Sequence, residues 1–266
     1  MPRRITAFSN PLVKHVRRLR DKRHRRDAGQ FVAEGLRILT EARDAGRLPR
    51  TIFYAADSAA HPLVAALAAA VEAAGGEAIE TNRDILHKLS GKDNPQTVLG
   101  VFDQLNTGLA RIDRAAAPIW LVAQSLRDPG NLGTILRTGD AVGAGGLILV
   151  DDCVDPFSVE AVRATMGALF TQPLAQARWP DFLTWLRAGP GQLVGTSLNA
   201  TASYRDVTYA APTFLLVGNE AQGLPADYEA ECDLLVRIPM RGRADSLNAA
   251  VATAVVAYEV LDQLSG

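Results

Sequence analysis

Three short stretches of the chain mix glycine, small polar side chains and one or two ionisable groups. That mixture lets backbone approach a ligand closely while a few side chains orient it. The stretch Ile238-Pro239-Met240-Arg241-Gly242-Arg243-Ala244-Asp245-Ser246-Leu247-Asn248 runs a Gly- and Arg-rich loop into the start of an Ala/Val-rich helix. Free N–H groups at a helix start suit a ligand, and the same polar residues suit plain capping by Asp245 or Ser246. In Asp128-Pro129-Gly130-Asn131 a strand ends in a turn that opens a second helix, with Arg137 about two turns further on. A third stretch, Val217-Gly218-Asn219-Glu220-Ala221-Gln222-Gly223-Leu224, carries a strand into a glycine-flanked loop, where Glu220 can accept hydrogen bonds or act as an acid or base.

The elements that must position these loops alternate between strand and helix. Strands are expected at 119–123, 147–151, 173–177, 193–196, 213–217 and 235–238, and helices at 132–142, 159–170, 181–187 and after Ser246. Such alternation predicts a largely parallel sheet covered by helices, in which ligands bind at the C-terminal ends of strands. All three stretches leave such ends. The glycines at 143–146 precede a strand instead of opening a helix, so they are no dinucleotide fingerprint.

The N-terminal part differs in kind. Residues 10–26 read as one helix started by Ser9 or Asn10, with Leu12, Val13, Val16 and Leu19 on its apolar face. Lys14, Arg17, Arg18, Lys22, Arg23, Arg25 and Arg26, with His15 and His24 among them, give the other face a basic stripe suited to a phosphate backbone. Only Asp21 and Asp27 offset it. Short strands at 31–34, 52–55, 77–80 and 98–102 alternate with helices at 36–45 and 62–74, while 85–96, holding Lys88, Lys92, Asn94 and Pro95, reads as a polar loop. The expected division is a domain at 1–103, a linker at 104–118 and a second domain at 119–266.

Charge follows that division. Residues 1–103 hold 17 Lys/Arg against 12 Asp/Glu, and 119–266 hold 9 against 16. All four lysines and all four histidines lie in the first 92 residues. The second domain therefore has no histidine base, no Schiff-base lysine and no P-loop lysine. Two cysteines, Cys153 and Cys232, are too few for a disulfide framework or a Cys-based metal site, and no apolar run is long enough to span a bilayer. No export signal follows the basic Met1-Pro2-Arg3-Arg4, so a reducing, cytoplasmic setting is expected, with no metal and no membrane partner.

DPGNLGTILRT, VGNEAQGL and IPMRGRADSLNAAVA, in that order, resemble the three motifs of the SpoU (TrmH-type) RNA ribose 2'-O-methyltransferases of the SPOUT superfamily. The resemblance covers roughly 119–264, and the basic N-terminal part, with Phe31-Val32-Ala33-Glu34-Gly35, is similar to the substrate-binding domain of rRNA-type members. It implies an α/β fold: a C-terminal parallel-sheet domain with a deep trefoil knot, preceded by a smaller, L30e-like α/β RNA-binding domain. It also implies S-adenosylmethionine as cofactor, RNA (23S rRNA) as substrate, and a homodimer with the site at its interface. By motif, Asn131, Arg137, Glu220, Ser246 and Asn248 fall on catalytic or RNA-contacting positions, and Leu216, Gly218, Ile238, Met240 and Leu247 on the cofactor pocket. RNA binding then falls to the basic stripe, Lys14, Arg17, Arg18, Lys22, Arg25 and Arg26.

Two departures stand out. Thr138-Gly139-Asp140 replaces the small apolar residues commoner there and puts a carboxylate near Arg137, and Ala221-Gln222 replaces a glycine-containing form. The family's proposed base falls on Arg137, yet a guanidinium loses its proton only above pH ~12. Arg137 is therefore expected to anchor a phosphate and orient the ribose, leaving the proton to Glu220, Ser246 or a water. A tRNA enzyme of the same family and a non-catalytic RNA-binding protein with this fold are the alternatives.

Overall fold

The computed structural model describes residues 3–91 and 95–265. In chain order the elements are β1 (Arg3–Arg4), α1 (Pro11–Arg18), α2 (Lys22–Ala28), β2 (Gln30–Glu34), α3 (Leu36–Asp44), β3 (Thr51–Ala55), α4 (Pro62–Ala73), β4 (Glu77–Thr81), α5 (Arg83–Ser90), β5 (Val98–Asp103), β6 (Ile119–Gln124), α6 (Pro129–Ala141) and β7 (Leu147–Val150). There follow α7 (Val159–Ala164), α8 (Ala168–Thr171), β8 (Leu174–Ala177), α9 (Trp179–Arg187), β9 (Gln192–Thr196), β10 (Ala202–Ser203), β11 (Thr213–Val217), α10 (Ala226–Ala230), β12 (Leu234–Arg237) and α11 (Ala249–Ser265). Packing divides the chain into two compact units. One runs to Leu105 and includes Asp155–Thr171; the other holds Asn106–Val154 and the chain from Gln172 onward.

In the first unit five described strands form a mixed sheet in the order β1-β4-β3-β5-β2. Val13, Val16 and Leu19 join Ile85, Leu86 and Leu89 in an apolar core with Phe53, Ile79 and Leu99 of the sheet. Phe31 of β2 and Phe102 of β5 meet Phe157 and Phe170, with ring centroids 4.8–6.1 Å apart. Aromatic contacts of this kind add about 0.5–1.5 kcal/mol each beyond the area they bury. They explain why 155–171 packs with this unit although it lies, in sequence, between two strands of the other.

The basic segment is not one helix. It stops at Leu19 and restarts after Asp21, whose carboxylate accepts from the His24 N–H at 2.9 Å and so caps a new helix. The break turns Arg25 inward. Its guanidinium donates to Asp155 Oδ2 at 2.6 Å and to the carbonyls of Leu19 and Arg20, and the residue is 3% exposed. Arg25 is thus a buried structural cation and not a surface RNA contact, whereas Lys14, Arg17, Arg18, Lys22 and Arg26 are exposed. The polar stretch read as a loop at 85–96 is helical from Arg83 to Ser90, capped by Asn82 and ended by Gly91 in the left-handed region; Lys92 and Asn94 lie outside the described residues. A single helix at 159–170 is likewise broken, at Met166 and Gly167, both with positive φ.

In the second unit seven described strands are all parallel, in the order β10-β12-β9-β11-β6-β7-β8. Trp120, Phe182, Leu193 and Phe214 sit in the core on the α9 side, and Val256, Ala257 and Val260 of α11 are fully buried. The stretch expected as a linker belongs to this unit from Asn106 on. Arg114 donates to the carbonyls of Trp185 and Leu186 and lies 4.1 Å over the Trp185 ring, while the Trp120 indole donates to the Arg114 carbonyl. Leu109 and Ile112 also pack against the core, but two apolar residues among stacking and backbone contacts leave no periodic pattern to read. The unforeseen β1, β10 and α10 are two to five residues long, too short for any periodicity.

Candidate functional site

The three loops leave β6, β11 and β12, and strand order sets β11 beside β6 with only β9 between β11 and β12. Their side chains join in one chain of hydrogen bonds. Asp128 caps α6 by accepting from the Asn131 N–H at 2.7 Å, which fixes Asn131 at the helix start, 8% exposed. Asn131 Nδ2 donates to Glu220 Oε1 at 3.0 Å, and Asn131 Oδ1 accepts from Asn248 Nδ2 at 2.8 Å. Asn248 in turn caps α11, its Oδ1 accepting from the N–H groups of Ala250 and Val251. The plain capping role open to Asp245 or Ser246 is therefore taken by Asn248, whose side chain reaches those N–H groups.

Glu220 also accepts from the backbone N–H groups of Arg127 and Asp128. Burial by itself raises its carboxyl pKa, but the Asn131 and backbone donors outweigh burial and hold it below the usual carboxylate range. Its oxygens are thus committed to holding loops together, which makes Glu220 a weak base and a strong clamp. The loop that presents it closes on itself. Asn219 and Gly223 exchange backbone hydrogen bonds, Asn219 Oδ1 accepts from the Ala221 and Gln222 N–H groups, and Gly223 takes a left-handed φ of 69°. Ala221-Gln222 thereby fits without a further glycine. Gly218 admits no side chain, since a Cβ there would sit 2.3 Å from the Gly223 carbonyl carbon.

A cavity of about 310 Å³ opens at these strand ends. Gly218, Ile238, Met240 and Leu247 line it, as does Ser246. Leu216 does not; it is fully buried in the core, while Val217 and Gly218 carry the strand end into the cavity. Arg137 stands on the exposed face of α6. No contact within this chain brings it to Asn131, Glu220 or Asn248 among the described residues, and Asp140 accepts from Gln172 Nε2 at 3.1 Å. The two thiols are inert, burial pushing Cys153 up to about 11 and Cys232 up to about 12.

Matches to known proteins follow this geometry. Residues 118–258 match the model of the SpoU rRNA Methylase family, more than half of the chain. The chain belongs to the SpoU rRNA methylase family. Residues 10–100 match an MRM3-like substrate binding domain. A 23S rRNA (uridine(2479)-2'-O)-methyltransferase of Streptomyces viridochromogenes is 32% identical, over 98% of this chain and 92% of that protein. A 23S rRNA (guanosine(2553)-2'-O)-methyltransferase of Bacillus subtilis is 27% identical, over 97% and 99%. The AdoMet-bound rRNA methyltransferase of Sinorhizobium meliloti superposes with a TM-score of 0.91 at 42% identity, over 98% of both chains.

Around the SpoU motifs, sequence reasoning missed four residues. Ser125 follows β6 with φ 48°, a strained conformation for a side-chain-bearing residue, and its carbonyl accepts from Asn219 Nδ2 at 2.8 Å. Ser197 and Glu229 line the cavity, Ser197 Oγ donating to Glu229 Oε1. For Ser197 a signal did exist. It follows β9, and the rule that parallel strands deliver ligand loops at their C-terminal ends applies to every strand between β6 and β12. Asn219, beside Glu220, was visible as polar, but its bond to Ser125 was not.

Proposed function

We propose that the protein is an S-adenosylmethionine-dependent methyltransferase that modifies a ribose 2'-hydroxyl of RNA, with 23S rRNA as the substrate. The carrying observation is the Asn248–Asn131–Glu220 hydrogen-bond chain, which locks three loops beside a cavity of about 310 Å³. The cavity fits the cofactor's mixed chemistry: Ile238, Met240 and Leu247 offer an apolar wall for a purine, and Ser197 and Glu229 offer acceptors for ribose hydroxyls. Bound there, S-adenosylmethionine supplies an electrophilic methyl group on a sulfonium. The protein's part is positional. Arg137, exposed and cationic, anchors a phosphate and orients the ribose; Asn131 and Glu220 fix the loop geometry; the hydroxyl proton leaves to water, with Ser246 at the cavity edge as the relay. Glu220 is not the base, because its donors already favour the ionised form.

Three finer features belong to this reading. Val251 and Tyr258 lie seven residues apart on α11, 47% and 53% exposed, and α11 packs on α6, the helix that carries Arg137. They support a homodimer in which Arg137 of one subunit serves the cavity of its partner. The return of the chain from β12 past the 218–224 loop to α11, packed on α6, supports the trefoil-knotted path. Free thiols at Cys153 and Cys232 suit action in the cytoplasm. The test is incubation with methyl-labelled S-adenosylmethionine and deproteinised large-subunit rRNA or tRNA, followed by mapping of the labelled nucleotide. Label at a ribose of rRNA is expected; label in tRNA only would move the substrate, and cofactor binding without transfer to any RNA would overturn catalysis.

A further inference from the structure

The break between α1 and α2 does more than end a stripe. Lys14, Arg17, Arg18 and Arg20 line an open cavity of about 810 Å³, closed on its other sides by Asp21, Val159 and Glu160. Every lining residue belongs to the first unit, and none is shared with the cavity beside Gly218. We propose that this cavity is a phosphodiester-binding subsite that holds the RNA backbone, with Arg25 and Asp155 as its positioning pair. The proposal rests on the RNA methyltransferase reading and adds where, within the first unit, the backbone is held.

Three observations mark the cavity as built. First, the buried Arg25 ties its two walls together: Asp155 stands four residues before Val159, and the carbonyls of Leu19 and Arg20 are the other acceptors. Second, the Arg20 guanidinium rests on Gly91, where a Cβ would come within 1.8 Å of Arg20 Nη1, so the glycine leaves the space this arginine occupies. Third, the neighbouring charges are divided. Asp21 is engaged in capping α2, while Arg23 and Arg26 of α2 lie 3.8 and 3.9 Å from Asp27. The four cations on the cavity, like Lys22 of α2, have no carboxylate within ion-pair distance among the described residues and so stand ready to meet phosphate. Its volume lies within the range of about 300–1,000 Å³ typical of ligand sites, larger than one phosphate needs. With no aromatic side chain in its lining, it offers no stacking platform, so it contacts backbone and carries no sequence information.

The test compares two variants that each remove two positive charges from the full chain. Arg17→Gln/Arg18→Gln acts on the cavity, and Arg23→Gln/Arg26→Gln acts beside Asp27. Binding to a labelled single-stranded oligouridylate and to deproteinised large-subunit rRNA is measured across a salt series without cofactor. The cavity variant is expected to lower the salt slope by about 1.4–1.8, at about 0.7–0.9 per lost phosphate contact, and the other by less than half of that. Arg20→Gln alone extends the series. For the positioning pair, Asp155→Asn should lower the slope at a temperature where the variant is fully folded, and Asp155→Glu should restore it; a purely structural contact would shift the melting point and leave the slope alone. Equal slopes for the two double variants would overturn the subsite. So would inorganic phosphate competing with oligouridylate as well, per phosphate, as rRNA does, since that marks a small-anion site. Wild-type protein that binds RNA but transfers no methyl group would fail the catalytic reading and leave these slopes intact.

Discussion

Asn131 does two jobs with one side chain, donating to Glu220 and accepting from Asn248. No carboxylate can replace it. Asn131→Asp would set a second negative charge against Glu220 and remove its donor, and kcat should fall about a hundredfold, the size found for a lost preorganised donor. Affinity for S-adenosylmethionine should change far less; single-turnover methylation beside calorimetry separates the two. The same donors set the pH behaviour of Glu220. Its pKa in the folded protein is depressed, so the stability it contributes is present above the unfolded carboxylate value and is lost as pH falls through the depressed one. Cofactor affinity should therefore not weaken through this group between about pH 5 and 8, the unfolded carboxyl titrating near 4.3. A calorimetric pH series that shows an affinity loss centred above pH ~5 in the wild type, absent from Glu220→Gln, would contradict this.

At the scale of elements, α11 both builds the core and lines the cavity, with Val256 and Val260 buried and Ala252 facing the pocket. Gly218→Val is a poor probe of that pocket, because its side chain would strike the Gly223–Leu224 backbone and displace the loop itself. Ala252→Leu fills the cavity from a helix that stays folded. It should abolish measurable S-adenosylmethionine binding by calorimetry while leaving the thermal midpoint nearly unchanged. In the first unit the vulnerable element is the turn between α1 and α2. Arg25→Met leaves Asp155 without its cation, and breaking a buried pair in this way costs about 3–5 kcal/mol. Chemical denaturation should show that loss, and Arg25→Met/Asp155→Leu should recover part of it.

For the whole molecule, the position of Arg137 is the decisive feature. It lies on an exposed face of α6 and makes no hydrogen bond to Asn131, Glu220 or Asn248 among the described residues; in the proposed dimer it would complete the site of the partner. Arg137→Ala and Ala252→Leu proteins should each be inactive alone. Co-expressed with different tags and isolated as the doubly tagged species, they should regain activity at one of two sites, about half of wild type if the sites are independent. A verified heterodimer no more active than either parent would place arginine and pocket within one subunit.

Much of this was legible in the chain. The alternation of strands and helices from residue 119 onward set a parallel sheet, and the motifs placed Asn131, Glu220, Ser246, Asn248, Gly218, Ile238, Met240 and Leu247 at strand ends, because type and spacing along one strand or turn are local properties. Tertiary structure alone decided what depends on distant partners. The side chain of Arg25 looks like its exposed neighbours until Asp155, 130 residues away, buries it. Leu216 lies inside β11, where its side chain is buried in the core, whereas Gly218 follows the strand end and lines the cavity, and the 155–171 segment joins the first unit because Phe31 and Phe102 offer its phenylalanines a surface. Composition and periodicity record what each residue prefers, and packing chooses among the partners that could satisfy it.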